Sequence, residues 1–321
     1  ITMAFPKKGF FALPGAEYLG KLITADIGIP DTLADDIRTE LLSPEWAKAN
    51  LPVRPRGAHK GTFGKVMVIA GSSRYPGAPY LACTAAYRAG AGLVTLASIG
   101  KVIELVGSKS VETTYLPLPE SEEGNIDDRA LETIFKNLEG YNVLLIGPGM
   151  GTNPETAGLL RSMLTNPGIS GIPTVLDADA LNSIAKYIPN WWQMLSSKVI
   201  LTPHPAEFSR LSGLTIADLQ QDRMEKAREF AVKWNKVVVL KGAFTVIAGP
   251  EGHVMVSPWA NPALATAGTG DILAGIISAF LAQGMGPLSS ASLGVYVHGL
   301  TGEMVSEELG EAGAIASDLL P

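Results

Sequence analysis

Short runs of apolar, often β-branched residues alternate with helical segments along this chain. Such alternation is typical of a parallel sheet covered by helices on both faces, because each parallel strand needs a crossover connection to reach the next. We predict one βαβ unit from a strand at residues 66–70, an alanine-rich helix at 80–90 and a strand at 93–97. Further strands are predicted at residues 143–146, 174–176, 199–201 and 237–240. The pattern predicts an α/β fold with a central, mostly parallel sheet.

The C-terminal third of the chain adds a hairpin and two helices to this pattern. Residues 244–256 alternate apolar positions around Gly249-Pro250-Glu251-Gly252, which indicates an antiparallel hairpin attached to the sheet. Long helices are predicted at residues 272–283 and 289–308. Because the predicted parallel strands end at the same edge of the sheet, the turns that follow them form one candidate ligand site.

Composition limits the class of protein. With 321 residues, 46% hydrophobic and 17% charged, the chain can bury the core of one large domain. A net charge of −6 argues against a nucleic-acid partner. Cys83 is the only cysteine, which excludes an internal disulfide framework and fits a reducing compartment. The longest apolar helix candidate is too short to cross a bilayer, so we expect a cytoplasmic protein without a membrane partner.

The segment Ala267-Gly268-Thr269-Gly270-Asp271 comes directly before the predicted apolar helix at residues 272–283. A helix start presents unpaired backbone N–H groups and the positive end of the helix dipole, so it can hold a phosphate. Asp271 would lie beside that phosphate, where it could accept the proton of a hydroxyl that attacks the phosphorus. The alternative is that the glycines only allow a tight turn into a buried helix.

Two glycine-bearing segments follow predicted strands in the first half of the chain. Ala70-Gly71-Ser72-Ser73, with Pro76-Gly77-Ala78, would let the backbone approach a bulky ligand closely. Residues 147–151 lack the Gly-x-Gly-x-x-Gly spacing, and Pro148 interrupts them, so they are not a dinucleotide fingerprint.

Charged side chains follow three other predicted strands. Asp177 and Asp179 could hold water or a Mg²⁺ ion near phosphates, or they could only cap a helix. His204 lies between two prolines that fix its backbone, which favours a ligand contact over a purely structural role. Lys241 could contact a nucleotide phosphate and Thr245 could donate a hydroxyl, although Lys followed by Gly is also a common loop opening.

Together these segments closely resemble the ADP-dependent NAD(P)H-hydrate dehydratases, which belong to the ribokinase-like superfamily. The resemblance covers about residues 45–321 and keeps the order of several independent motifs. The motifs are Lys60-Gly61-Thr62-Phe63-Gly64-Lys65, Ala70-Gly71-Ser72 with Pro76-Gly77-Ala78, Gly147-Pro148-Gly149, Asp177-Ala178-Asp179-Ala180-Leu181-Asn182, Thr202-Pro203-His204-Pro205-x-Glu207, Lys241-Gly242 and Gly268-Thr269-Gly270-Asp271.

The resemblance implies a role for each matching position. The hydrated nicotinamide nucleotide, NADHX or NADPHX, would contact Gly77 or Ala78, Gly149, His204 and Asp271. ADP would contact Lys241, Gly242, Ala243, Phe244, Thr245 and Gly270. Catalysis would depend on Asp271 as the base and on the amides of Gly268, Thr269 and Gly270. The resemblance also implies a homotetramer and a Mg²⁺ ion that bridges nucleotide oxygens, without a dedicated protein metal site.

Residues 1–35 resemble the last strand and exit segment of an NAD(P)H-hydrate epimerase domain, which precedes the dehydratase in bifunctional repair proteins. The expected organisation is a mostly missing epimerase domain that ends with residues 1–35, followed by a dehydratase domain at 36–321. The chain has no initiator methionine and stops where family members usually continue a little. The alternative is an ordinary N-terminal strand of the dehydratase domain.

Two other functions remain open from the sequence. A ribokinase-like small-molecule kinase, acting on a sugar or a hydroxymethyl-pyrimidine, would share the anion site and Asp271 but would stop at the phosphorylated alcohol. A nucleotide-binding module without catalysis would bind ADP and release no phosphate.

Overall fold

We describe the fold from a computed structural model, which describes residues 1–320 apart from the side chains of Asp31 and Ser170. Pro321, the last residue of the predicted domain at 36–321, lies outside the described residues. The strands are β1 Thr2–Met3, β2 Thr24–Ala25, β3 Thr39–Leu41, β4 Lys65–Ile69, β5 Leu93–Ile99, β6 Thr114–Leu118, β7 Val143–Ile146, β8 Thr174–Leu176, β9 Val199–Leu201, β10 Val237–Leu240, β11 Val246–Ala248 and β12 Val254–Val256.

Helices connect most of these strands. The α-helices are α1 Pro44–Asn50, α2 Gly77–Arg88, α3 Gly100–Gly107, α4 Ala130–Lys136, α5 Pro154–Leu164, α6 Pro167–Ser170, α7 Asp179–Tyr187, α8 Pro205–Ser212, α9 Ile216–Gln221, α10 Arg223–Trp234, α11 Thr269–Ala282 and α12 Pro287–Leu309. Short 3₁₀ helices cover Lys8–Phe11, Gly15–Tyr18, Asp31–Ala34, Lys60–Phe63, Trp191–Gln193, Pro262–Leu264 and Ala316–Leu319. None of the described helices has both the length and the apolar character needed to span a membrane.

The central sheet has ten strands in the order β3-β12-β11-β10-β9-β8-β7-β4-β5-β6. Only β11 pairs antiparallel with its neighbours, β10 and β12, and the other described pairs in this sheet are parallel. The strands β7 to β12 are buried along their whole length, which requires helices on both faces of the sheet. The predicted α/β architecture and the predicted hairpin are confirmed.

The order of the strands reverses between β4 and β7. From β4 the chain continues outward to β5 and β6, whereas β7, β8, β9 and β10 follow one another in the opposite direction. At such a point the two loops that leave the sheet diverge and open a crevice at the carboxyl edge. Here the loops remain linked, because Gly71 N–H donates to the Pro148 carbonyl at 2.8 Å and Ser72 Oγ donates to the Gly149 carbonyl at 2.8 Å.

The α11 helix is apolar on all sides and packs between α2 and α12 and against the sheet. It begins at Thr269, three residues before its predicted start, because Thr269, Gly270 and Asp271 already adopt helical conformation. The α2 helix likewise begins at Gly77, ahead of its predicted start at residue 80. Both helix starts therefore lie within the motifs that we singled out as ligand-binding segments.

The N-terminal strands stand apart from the central sheet. β1 and β2 pair in parallel as a separate two-stranded sheet, with Thr2 opposite Thr24. The assignment of residues 1–35 to an epimerase domain stays a prediction.

Candidate active site

The first turn of α11 carries backbone amides without partners. Within residues 1–320, no acceptor receives a hydrogen bond from the amides of Gly268, Gly270 and Asp271, whereas the Thr269 amide lies 3.4 Å from the Thr266 carbonyl. Gly268 precedes the helix with φ of +97°, and a β-carbon there would lie 2.6 Å from Leu81 Cδ1. The conformation of this turn therefore requires a glycine at position 268. The turn presents free N–H donors that could bind an anion.

Asp271 lies partly buried beside these amides. Its carboxylate receives no hydrogen bond from the other described residues. Burial and, after it, the nearby Asp177 carboxylate raise the pKa of Asp271 to about 8, although Lys241 acts in the opposite direction. A carboxylate whose pKa lies near neutrality can both take and return a proton, as a general base requires.

Lys241 bridges two buried carboxylates behind Asp271. Its Nζ donates to Asp177 Oδ1 at 2.7 Å and lies 3.9 Å from Glu207 Oε2. Only 1% of the Asp177 side chain is exposed, and the Thr202 hydroxyl also donates to Oδ1 at 2.7 Å. Burial lowers the pKa of Lys241, but the two carboxylates outweigh that effect and raise it above its ordinary value. The ammonium group is therefore a fixed positive charge at the site.

His204 caps the start of α8 and remains about half exposed. Its Nδ1 accepts from the Ala206 amide at 3.1 Å, so a neutral ring carries its proton on Nε2, which lies 3.4 Å from Glu207 Oε1. Burial, followed by Lys241, lowers the pKa of His204. Burial also raises the pKa of Glu207 to about 7, although Lys241 acts against this rise. His204 is thus held rigidly by its cap hydrogen bonds, and burial favours the neutral form of its ring.

A cavity of about 640 Å³ opens in front of Lys241 and the first turn of α11. Seven of the residues singled out from the sequence line it, namely His204, Lys241, Gly242, Ala243, Thr245, Thr269 and Gly270. Phe244 does not line this cavity, and its ring packs edge-on against Phe11 instead. Asp271 follows directly after Gly270 in the first turn of α11, but it does not itself line the cavity.

The other predicted substrate residues lie at the reversal point of the sheet. A β-carbon on Gly149, whose φ is +62°, would lie 3.1 Å from the Ala78 β-carbon, and Gly77 is exposed at the start of α2. Asp179 accepts from the Gly151 amide at 3.0 Å, and its charge contributes to the raised pKa of Asp271. Gly77, Ala78 and Gly149 therefore lie together at the reversal point of the sheet, but none of them lines the 640 Å³ cavity.

The alternative that Asp177 and Asp179 only cap a helix is wrong, whereas their expected role near water or Mg²⁺ stays a prediction. Asp177 pairs with Lys241, Asp179 binds the Gly151 amide, and neither side chain caps α7. Among the described residues, no group of three or more His, Cys, Asp or Glu side chains could hold a metal ion.

Sequence reasoning missed much of the lining of the 640 Å³ cavity, including the polar or aromatic side chains of Trp259, Asn261 and His298. His298 is buried on α12, and its Nε2 lies 2.9 Å from the Thr269 carbonyl, so it supports the first turn of α11. Burial lowers the pKa of His298 to about 4, which keeps the ring neutral. The available signal was weak: one of four histidines lies on the second long helix after the Gly-Thr-Gly-Asp motif.

The chain matches known proteins along most of its length. A family model described as NAD(P)H-hydrate dehydratase matches residues 66–320. The bifunctional NAD(P)H-hydrate repair enzyme Nnr of Moorella thermoacetica is 41% identical over 325 residues, which cover 100% of this chain and 60% of the relative. The chain thus spans about 60% of the length of the first curated relatives that it matches.

Solved structures agree with this match. The ADP/ATP-dependent NAD(P)H-hydrate dehydratase of Bacillus subtilis, co-crystallised with ATP/Mg²⁺, is 33% identical with a TM-score of 0.76, covering 88% of this chain and 96% of that one. A ribokinase-like superfamily protein of Enterococcus faecalis is 27% identical with a TM-score of 0.75, covering 88% and 93%. The predicted ribokinase-like fold is confirmed, and the chain belongs to the NAD(P)H-hydrate dehydratase family.

Proposed function

We propose that this chain dehydrates (6S)-NADHX and NADPHX to NADH and NADPH while it converts ADP to AMP and phosphate. The single observation that carries the proposal is the position of Asp271, whose pKa is about 8, in the first turn of α11 directly after Gly270, which lines a cavity together with Lys241. Family membership supports the choice of substrate, since the Bacillus subtilis relative is named an ADP/ATP-dependent NAD(P)H-hydrate dehydratase.

The proposed reaction begins with proton removal by Asp271. The hydroxyl on the hydrated nicotinamide ring gives its proton to the carboxylate, and its oxygen attacks the β-phosphorus of ADP. The bond between that phosphorus and the bridging oxygen breaks, and AMP leaves. The resulting phosphate ester then departs as inorganic phosphate, while the nitrogen lone pair of the ring restores the double bond. Atoms balance, because the water that the hydrate loses is consumed in splitting ADP.

The remaining groups have separate tasks. The amides of Gly268, Thr269 and Gly270, together with that of Asp271, would stabilise the negative charge on the transferring phosphoryl group, and Lys241 would neutralise the diphosphate. Lys241, Gly242, Ala243, Thr245 and Gly270 line the cavity that would hold ADP. Gly77 or Ala78, Gly149 and His204 would contact the nicotinamide nucleotide. Phe244 is also proposed to contact ADP, although it does not line the cavity and its ring packs against Phe11.

Mg²⁺ would enter with the nucleotide. The described residues offer no cluster of protein ligands, which suits an ion held by phosphate oxygens and water, with Glu207 and Asp271 nearby. When bound, the ion would supply charge neutralisation at the nucleotide phosphates.

The organisation of the parent protein is part of the same proposal. This chain covers about 60% of the length of relatives that are named bifunctional. These relatives support the proposal that an epimerase domain belongs to the same polypeptide and that residues 1–35 are its last part. We also propose a homotetramer located in the cytoplasm.

The proposed function is tested with purified protein, hydrated NADH, Mg²⁺ and either ADP or ATP. We expect absorbance at the reduced-nicotinamide wavelength to recover with ADP, with one AMP and one phosphate released for each NADH formed. A stable phosphorylated alcohol without recovered absorbance would instead indicate a small-molecule kinase. Binding of ADP without phosphate release at saturating hydrate would indicate a binding module.

A further inference from the structure

Phe11 joins the N-terminal segment, which we define as residues 1–38, to the rest of the protein. Among the described residues, it is the only apolar side chain before Leu41 that packs against the hydrophobic core. The β1–β2 sheet in this segment makes no pairing with the ten-stranded sheet. A cavity of about 1070 Å³ separates much of the segment from β3 and β12, and Phe11 lines it. The segment therefore makes its apolar contact with the core through one ring.

That ring contacts the loop that would bind ADP. The ring centroids of Phe11 and Phe244 lie 5.6 Å apart at an interplanar angle of 81°, an edge-to-face pair. Phe244 has φ of +52°, in the left-handed region that non-glycine residues rarely occupy. Such a conformation persists only when its surroundings hold it. Two contacts hold the Phe244 conformation. One is the Phe11 ring, and the other is a hydrogen bond of 2.9 Å that the Phe244 amide donates to the Trp259 carbonyl.

The conformation of Phe244 affects which residues of the loop Lys241–Thr245 face the 640 Å³ cavity. Because its ring points toward Phe11, the other members of Lys241–Thr245 face the 640 Å³ cavity. Behind the loop, Arg223 donates to the carbonyls of Leu240 and Lys241 at 3.2 and 3.1 Å. The loop is thus supported at one end by Arg223 and near its middle by Phe11.

We propose that Phe11 is a positioning residue for ADP: through Phe244, the N-terminal segment holds the loop Lys241–Thr245 in its ADP-binding conformation. This inference rests on the proposed function of that loop. It makes the affinity of the dehydratase for its nucleotide depend on a segment that lies outside the ten-stranded sheet.

The test compares Phe11→Ala with Phe10→Ala, a neighbouring ring that does not pack against the core. We expect Phe11→Ala to raise KM for ADP roughly three- to tenfold, the effect of one aromatic pair, with kcat within about twofold. Phe10→Ala should leave both constants unchanged, and Phe11→Leu should recover part of the affinity. If Phe11→Ala fails to fold, a raised Kd for ADP in Phe11→Leu supports the proposal and an unchanged Kd overturns it.

A double-mutant cycle separates positioning from general destabilisation. Phe244→Gly removes the partner ring and relieves the left-handed strain, so Phe11→Ala should change KM for ADP no further in that background. Equal effects in both backgrounds would overturn the proposal. If the wild type repairs hydrate and Phe11→Ala has an unchanged KM, only the positioning role fails. If the wild type neither binds ADP nor repairs hydrate, the proposed function itself fails.

Discussion

Lys241 Nζ lies 2.7 Å from Asp177 Oδ1, although the two residues are 64 positions apart in the chain. The pair joins the ends of β8 and β10 at the carboxyl edge of the sheet, and the Asp177 side chain is almost fully buried. A buried carboxylate that loses its cation destabilises the folded state, because no ion pair then offsets the free-energy cost of removing the charge from water. The charge that would neutralise the nucleotide therefore also stabilises the fold.

We expect Lys241→Gln to lower the free energy of unfolding by about 3–5 kcal/mol, because it leaves Asp177 and Glu207 without a cation. Chemical denaturation measures this directly. Lys136→Gln is the matched control, since Lys136 forms an exposed pair with Glu132 on α4, and its stability should equal that of the wild type. If both variants had the same midpoint, Lys241 would have no structural role.

Gly268→Ala tests the turn that precedes α11. A β-carbon there would approach Leu81 and Ala316 at 2.6 and 3.0 Å in a left-handed backbone, so we expect a loss of about 1–3 kcal/mol together with a fall in turnover. Gly158→Ala, in the middle of α5 with open space around its α-carbon, should instead gain about 0.5–1 kcal/mol from helix propensity. Equal stabilities of the two variants would show that the turn tolerates a side chain.

Asp271→Asn should stabilise the protein, and the gain should depend on pH. The native state holds the Asp271 proton up to about pH 8, whereas the unfolded chain releases it near its ordinary pKa of 3.8. Between these values the native state binds more protons, so the wild-type stability contributed by this group falls as pH rises. Asn does not titrate, so the variant avoids this loss of stability. At pH 8 we expect its free energy of unfolding to exceed that of the wild type by about 1–3 kcal/mol.

Asp127 provides a control of opposite sign for this measurement. Hydrogen bonds from Arg129 lower the pKa of Asp127 to about 2, so its contribution to stability is present above its ordinary pKa of 3.8 and is lost as pH falls through about 2. Asp127→Asn should therefore destabilise the protein at neutral pH. Melting temperatures of both variants between pH 4 and 9 test the pair, and a pH-independent effect of Asp271→Asn would contradict the raised pKa of Asp271.

The rate of repair should also follow the ionisation of Asp271. Because the free enzyme must hold this carboxylate ionised to act as a base, we expect kcat/KM for the hydrate to rise with pH and to level off above about 8. Steady-state rates at saturating ADP across pH 6–9 measure the profile. A rate that declines from pH 6 to 8 would be incompatible with a base of this pKa.

The sequence was sufficient to predict the centre of the sheet but not its edges. The strands β7 to β10 have the predicted bounds, because short apolar runs buried on both faces have few alternatives. The edge strands β3 and β6 were not predicted, since both expose part of their length and β6 contains Pro117. Their pairing depends on neighbours that are distant in the chain.

The sequence was sufficient to predict which segments form the candidate site, but not how their side chains are arranged. Motif spacing identified Asp271, Lys241 and His204, because strand ends of a parallel sheet converge on one edge. The bridge from Lys241 to Asp177 depends on the order of the strands, which local patterns do not encode. The outward turn of Phe244 depends on Phe11, more than 200 residues earlier in the chain. The placement of Phe244 with the nucleotide came from the family resemblance and stays a prediction.

The most direct test of the catalytic role of Asp271 is a single-turnover experiment with hydrated NADH, ADP and Mg²⁺, run on the wild type and on Asp271→Asn. We expect the wild type to form one NADH and one phosphate per ADP, and the variant to lose about 10²–10⁴-fold in rate, typical of a missing general base. The variant should still bind ADP with nearly the wild-type Kd. Near-normal turnover by Asp271→Asn would contradict the assignment of Asp271 as the base.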